Sequence, residues 1–345
     1  MRRRNPTPPK NITPTATPAP ASNKWSDLAV RVGSSILLIA IELTIIAAGH
    51  VAIFAEIFIL QYVVVYELMA AGRKPEEEKK IPLFTKAFPY ILTTLISYAV
   101  SAPGIVEEII GECSFMKYHA LFCFFIGSIL LVLFVISLNP VNLAYSFDRL
   151  GWSIVSVVLL VVPANLYVKV SRFSLFWFFN SVCAVALNDS CAYFCGRIFG
   201  HTPLIALSPK KTVEGFVGAL FCCVAISFFL PILFSKFPFT YCENVKPFAF
   251  HTECNPPPEF VKQQYNIFGF SFEAFPAQLH SIVFYVFSSL IAPFGGFLAS
   301  GLKRVHGLKD FGNVIPGHGG ILDRVDCEFI MATFAYLYIK SVIRN

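Results

Sequence analysis

YHALFCFFIGSILLVLFVISL, residues 118–138, runs for 21 residues without an Asp, Glu, Lys or Arg. Crossing about 30 Å of hydrocarbon takes roughly 20 apolar residues in a helix, so this stretch alone is long enough to span a bilayer. Apolar segments also lie near 32–48, 50–71, 87–103, 151–168, 173–195, 213–235, 280–300 and 325–341. The 345-residue chain is 56% hydrophobic and 14% charged, with 37 phenylalanines. A soluble domain carries about 25% charged residues. The composition excludes an ordinary soluble globular protein and predicts an all-α polytopic membrane protein of about nine transmembrane helices. Gly and Pro inside several spans are tolerated where neighbouring helices re-satisfy the backbone. Only "AGH" at 48–50 divides the first two segments, which predicts a tight helical hairpin.

The N-terminus, MRRRNPTPPKNITPTATPAPASNK, has no apolar core of its own and is not a cleavable signal peptide. Its Pro, Thr and Ala content buries too little surface to fold, so residues 1–31 are expected to form a disordered basic cytosolic tail. Its three arginines suit a mitochondrial transit peptide, but its prolines oppose the amphipathic helix such a peptide needs. The rest divides into N-terminal transmembrane helices (32–172) and a C-terminal catalytic transmembrane region (173–345). The latter holds a loop at 236–279 and a polar loop at 300–326.

Orientation follows from Lys and Arg in the loops. With the N-terminus in the cytosol, the cytosolic segments hold 19 of the 27 basic residues. Lys340 and Arg344 run against this bias. Two spans separate SPKKT (208–212) from KRVHGLKD (303–310), so these stretches share one face and loop 236–279 lies on the other. If the membrane is that of the endoplasmic reticulum, that loop is lumenal. Cys242 and Cys254 within it are then candidates for a disulfide, the alternative being two free thiols. The other eight cysteines read as small apolar fillers, and no CxxC pair points to zinc. The mixed charges of 72–86 are expected either to meet anionic lipid or simply to be solvated.

Two polar clusters break the apolar pattern on that shared face. In the first, ALNDSCAYFCGRIFGHTPLIALSPKKTVEG (186–215), Asn188 and Asp189 fall inside a span, where ionisable groups are costly and usually face a cavity or a partner. Asp189 and Tyr193 share a helix face. Ser208, Lys210, Lys211 and Thr212 follow. The structural alternatives are a packing hydrogen bond from Asn188, a salt bridge at Asp189, and lysines that only anchor the span. The second cluster, KRVHGLKDFGNVIPGHGGILDRVD (303–326), follows Ser300 and holds Lys303, Arg304, Lys309, Asp310, His318, Asp323, Arg324 and Asp326. Asp323 and Asp326 are three apart, on one face if helical. A capping pair with snorkelling basic residues leaves the five glycines, His318 and Lys309-Asp310 unexplained. Lys and Arg bind phosphate oxygens. Carboxylates hold Mg²⁺, which keeps several waters and bridges to substrate phosphates. No P-loop and no protein-kinase set is present. The residues thus point to a membrane enzyme acting on a phosphate ester with a divalent metal.

At these residues the chain resembles the phosphatidate cytidylyltransferase (CDP-diacylglycerol synthase) family, in its eukaryotic endoplasmic-reticulum branch. The family pattern S-x-x-K-R-x4-K-D, then H-G-G-x-x-D-R-x-D, is met at Ser300, Lys303, Arg304, Lys309, Asp310, His318, Gly319, Gly320, Asp323, Arg324 and Asp326. PLIALSPKKT (203–212) and IAPFGGFLASGLKR (291–304) resemble further family blocks. Val213, Ser190 and GWSI (151–154) depart from it. The resemblance implies CTP + phosphatidate → CDP-diacylglycerol + pyrophosphate with Mg²⁺, at a polar site on the cytosolic face. It implies Asp310, Asp323, Asp326 and Asp189 as metal ligands. Lys303, Arg304, Lys309, His318 and Arg324 would be catalytic, with Ser208, Lys210, Lys211, Thr212 and Ser300 binding substrate phosphates. CTP, phosphatidate and the lipid bilayer are the expected partners, with no nucleic acid; a homodimer is left open. The expected location is the endoplasmic reticulum membrane, multi-pass, with the N-terminus cytosolic. The rival readings are a CTP-dependent lipid kinase, a transporter with an acidic midplane site at Asp189, and a structural scaffold.

Overall fold

Two apolar helices open the structure, α1 (Lys24–Ala48) and α2 (His50–Ala71), with only Gly49 between them. Gly49 has φ 87°, a left-handed conformation that costs glycine nothing, and it turns the chain back on itself as the sequence predicts. The computed structural model describes residues 24–111, 114–242, 248–249, 254–267, 269–314 and 319–344. The helices that follow are α3 (Pro75–Glu78), α4 (Leu83–Ile110), α5 (His119–Ile136), α6 (Leu143–Ser156), α7 (Val162–Phe173), α8 (Leu175–Phe199) and α9 (Val213–Phe234). The last four are α10 (Pro276–Leu290), α11 (Pro293–Val305), α12 (Leu322–Val325) and α13 (Glu328–Tyr338). Two antiparallel hairpins, β1 (Pro203–Ile205) with β2 (Ser208–Thr212) and β3 (Gln263–Ile267) with β4 (Phe270–Ala274), are the only sheets among the described residues.

Seven stretches among the described residues are helical, long and apolar enough to cross a membrane: His50–Ala71, Leu83–Glu107, Met116–Ile136, Pro140–Phe173, Leu175–Phe199, Val213–Phe234 and Pro276–Val305. Two of the nine expected segments fall outside this set. The segments at 32–48 and 325–341 are helical but short. The apolar part of α1 is Leu37–Ala48, and the last segment breaks at Asp326–Cys327, between α12 and α13. A π-turn at Val157–Val161 joins α6 to α7 just before Pro163, which has no N–H to give the carbonyl one turn back.

Small residues and buried polar groups set how the helices meet. Gly196 on α8 faces Gly215 on α9. A Cβ at Gly215 would lie 2.7 Å from the Ala192 carbonyl oxygen and 3.0 Å from the Gly196 Cα. Close approach of this kind is how bilayer helices gain packing contacts. Trp177 and Phe176 on α8, Phe284 and Tyr285 on α10, and Met331, Ala332 and Ala335 on α13 form the main core. By contrast Phe124, Phe125, Ile129 and Val132 of α5 are exposed, an apolar outer face suited to lipid. Beyond the end of α9, Cys242 and Cys254 are joined by a disulfide, their Cα atoms 6.0 Å apart.

A polar knot ties α2, α4 and α7 together. Asn165 of α7 is fully buried and donates through Nδ2 to Val161 O at 2.8 Å, Ser97 Oγ at 3.3 Å and Gln61 Oε1 at 3.4 Å. Its Oδ1 accepts from Ser101 Oγ at 2.5 Å, and Ser97 also donates to Gln61 Oε1. Removing one member leaves the others unsatisfied, which costs about 1–3 kcal/mol per buried group. Asn165→Leu is therefore expected to lower the thermal midpoint of the purified protein in detergent, while Phe124→Leu on the lipid face leaves it unchanged.

Candidate active site

The second polar cluster begins where α11 ends. Gly307, with φ 66°, takes the left-handed position just past the helix. Gly307 N donates to Arg304 O at 3.1 Å and Leu308 N to Lys303 O at 2.9 Å, which completes a Schellman cap. The loop then leaves the helix, passes Lys309, Asp310 and Phe311, and returns through Gly319 and Gly320 to α12.

Asp323 on α12 holds both ends of that loop. Its Oδ1 takes the Lys303 ammonium at 2.6 Å, and its Oδ2 accepts from Phe311 N at 3.0 Å and Gly320 N at 3.2 Å. The side chains of Lys303 and Asp323 are only 11% and 6% exposed. Lys303 also lies 5.4 Å from the centre of the Phe311 ring. A buried ion pair tolerates its desolvation only with good geometry and further hydrogen bonds, and this pair has both. Asp310 lies beside Asp323: a Cβ on Gly319 would sit 3.5 Å from each of their side chains.

A residue not anticipated from the sequence completes the loop. Glu67 on α2 is 2% exposed. Its Oε1 accepts from Ile321 N at 3.1 Å and its Oε2 from Leu322 N at 2.8 Å. Gly312 and Gly320 pack directly on this carboxyl group; an added Cβ would come within 2.5 Å and 2.8 Å of its oxygens. The available signal was an acidic residue inside the apolar run 50–71, which Glu67 shares with Glu56.

The first cluster lies against the second. The β1–β2 hairpin is closed by Glu214, which accepts from His201 N at 3.1 Å and from Thr202 N, and by Val213 N donating to Thr202 O at 2.9 Å. Lys211 Nζ reaches Asp189 Oδ1 at 3.7 Å and lies 5.3 Å from the centre of the Phe297 ring on α11. Leu207 approaches Gly301 on α11. The hairpin that carries SPKKT thus packs against α11, the helix that runs into KRVHGLKD. Asp326 sits between the clusters. Its carbonyl oxygen would be 2.2 Å from a Cβ at Gly295 and its carboxylate oxygens 3.4 Å from one at Gly296, which explains the paired glycines of PFGG. Asp189, Lys303 and Lys211 are the charges that act on the Asp326 carboxylate.

The candidate residues separate into groups. Lys210, Arg304, Lys309, Asp310 and Arg324 are exposed, and Ser208 and Ser300 half-buried. The Thr212 hydroxyl caps α9 by accepting from Gly215 N at 3.2 Å, so that oxygen is engaged in the fold. Tyr193 accepts from Arg197 at 3.0 Å, while Asp189 turns to Lys211. Of the departures from the family pattern, Ser190 spends its hydroxyl on Ala186 O at 2.8 Å. His318 lies outside the described residues. Among the described residues no three His, Cys, Asp or Glu side chains converge as cation donors. The four expected ligands are spread over the two clusters: Asp323 is engaged by Lys303 and two amides, with Asp310 beside it, Asp189 faces Lys211, and Asp326 sits between the clusters. Carboxylate oxygens such as those of Asp189 and Asp326 are the donor type that Mg²⁺ takes alongside phosphate oxygens and water.

Residues 29–342 match the model of the cytidylyltransferase family. The chain is similar to a provisional phosphatidate cytidylyltransferase of Schizosaccharomyces pombe, 37% identical over 325 residues, covering 89% of this chain and 74% of the relative. It is similar to phosphatidate cytidylyltransferase 3 of Arabidopsis thaliana, 33% identical over 343 residues, covering 94% of this chain and 72% of the relative. Phosphatidate cytidylyltransferase 2 of Homo sapiens is 34% identical over 344 residues, covering 94% of this chain and 77% of the relative.

The two kinds of lysine predict two kinds of mutant. Lys303→Ala strands a buried carboxylate and is expected to cost about 3–5 kcal/mol of stability. Lys309→Ala, at an exposed position, stays within about 0.5 kcal/mol of the parent. Thermal unfolding in detergent micelles separates them.

Proposed function

The chain belongs to the cytidylyltransferase family, and from that membership and the geometry of the two clusters we propose that it transfers the cytidylyl group of CTP to phosphatidate, giving CDP-diacylglycerol and pyrophosphate. The observation that carries this reading is the contact of the β1–β2 hairpin with α11, where Lys211 pairs with Asp189 and lies over Phe297 while Asp326 packs on Gly295 and Gly296 of the same helix. A phosphate oxygen of phosphatidate attacks the α-phosphorus of CTP; the new P–O bond forms as the bond to the β-phosphate oxygen breaks. Both reactants are anions, so the site must offset their repulsion and hold them in line. The exposed Lys210, Lys309, Arg304 and Arg324 belong to the two clusters and would supply positive charge to the phosphates. Lys211 is placed to follow the nucleotide from the hairpin. Lys303 keeps the loop in shape through Asp323 rather than reaching substrate. Asp326 and Asp189 would hold Mg²⁺, which supplies further neutralisation of the substrate phosphates when bound. The attacking phosphate needs no general base, because a phosphomonoester has its second pKa near about 6.

The placement of the site explains the apolar frame. Diacyl chains remain in the bilayer while the head group meets CTP at the membrane edge. With the segment 32–48 counted as a crossing, we place the N-terminus and both clusters in the cytosol and loop 236–279 in the lumen of the endoplasmic reticulum. The excess of Lys and Arg around the clusters and the Cys242–Cys254 disulfide support that orientation.

In mixed micelles with phosphatidate, Mg²⁺ and CTP labelled at the α-phosphate, the purified protein is expected to put label into lipid. EDTA and Asp326→Asn should each abolish it. Label entering lipid only from γ-labelled CTP would instead establish a lipid kinase. For orientation, a glycosylation acceptor inserted in 243–247 is expected to be modified in microsomes and one inserted in 76–79 is not; the reverse pattern overturns the topology.

A further inference from the structure

Glu67 belongs to the half of the chain that carries none of the signature residues, yet it is bound to the signature loop. We infer that Glu67 is a positioning residue for the reaction: from α2 it fixes the chain around Ile321 and Leu322, and through them the carboxylates that follow on α12. The inference rests on the cytidylyltransferase reading and adds a residue to it.

Three observations converge on this assignment. Both Glu67 oxygens are engaged by successive backbone amides, Ile321 N at 3.1 Å and Leu322 N at 2.8 Å, directly before Asp323. A helix start leaves such N–H groups without partners of their own, and α12 is too short to satisfy them. Gly312 and Gly320 lie against the same carboxyl group, and the three atoms nearest to a Cβ at Gly312 would all belong to Glu67, at 2.5, 3.0 and 3.3 Å. The loop therefore wraps the carboxyl group from both strands. Finally, the end of α2 that carries Glu67 is itself held. Arg149 of α6, buried, donates to Met69 O at 3.1 Å, and Trp152 of the same helix packs on Gly72 with its ring centre 5.3 Å from that of His306 at the loop's other end. A side chain this buried serves as a fixed post from which the loop hangs.

Glu67 touches no reacting atom in this arrangement; it acts through the loop. Displacing a catalytic loop by roughly 1 Å can cost on the order of 100-fold in rate without loss of the fold. Glu67→Gln keeps the shape but presents an N–H to one of the two amides. It is expected to lower kcat on that scale while KM for CTP changes far less. It should also raise hydrogen exchange in the 319–326 peptide and leave α8 and α9 protected. Gly312→Ala pushes on the same carboxyl group from the other side. If both act through one contact, the double variant Glu67→Ala/Gly312→Ala is no worse than Glu67→Ala alone.

The measurement is CDP-diacylglycerol synthesis by the full chain in mixed micelles, with exchange followed by mass spectrometry on the same preparations. Wild-type kcat and wild-type exchange in Glu67→Gln would overturn the inference, as would multiplicative losses in the double variant. An inactive parent protein would instead sink the cytidylyltransferase reading, and the exchange comparison still decides whether Glu67 holds the loop.

Discussion

Backbone that is neither helix nor sheet is tolerated near a bilayer only where its polar groups are satisfied within the protein. The loop between α11 and α12 is such backbone, and two carboxyl groups satisfy it from opposite sides. Asp323 takes Phe311 N and Gly320 N; Glu67 takes Ile321 N and Leu322 N. Between them these groups fix the start and return of the loop. Lys303 offsets the charge of Asp323 without leaving the core. The dense polarity of residues 303–326 is therefore first a way of folding irregular chain at a membrane edge.

The helices around the loop transmit that constraint. Polar contacts between bilayer helices and close approach at small residues replace the hydrophobic drive that lipid removes. The Gln61–Ser97–Asn165 knot places α2, and Glu67 lies six residues beyond Gln61 on the same helix. On the other side, Gly196 and Gly215 bring α8 and α9 together, and Gly295 and Gly296 let Asp326 settle on α11. The site thus joins two packed groups of helices, and its register depends on both.

Much of this was legible in the sequence, and the limits have physical causes. The length and purity of apolar runs located the core spans, because burial in lipid leaves few alternatives. Period and composition do not say whether a short apolar helix crosses. Leu37–Ala48 and the segment broken at Asp326–Cys327 are the two expected spans that are helical but short. Spacing placed the two clusters on one face, since loops separated by two spans must share a side. Spacing cannot tell which carboxylate of a dense set faces substrate and which is consumed by the fold. Asp323 and Asp326 look alike in DRVD; only coordinates separate the one locked by Lys303 from the one between the clusters. Glu67 was missed for a plainer reason. Its partners lie 254 and 255 positions away, and they are backbone amides, which leave no mark on the sequence.

The same separation explains why a divalent cation belongs in the proposed chemistry. Lys303 is neutralised by Asp323, so it brings no net charge to an incoming phosphate. Lys211 is partly offset by Asp189. The floor of the site, with Asp326 added, is therefore not strongly positive despite its lysines. Two phosphate-bearing reactants approaching such a floor need positive charge from elsewhere. The exposed Lys210, Lys309, Arg304 and Arg324 provide it at the rim, where water screens each contribution. In the proposed reaction a divalent cation arriving with the nucleotide would supply the charge that these paired lysines do not.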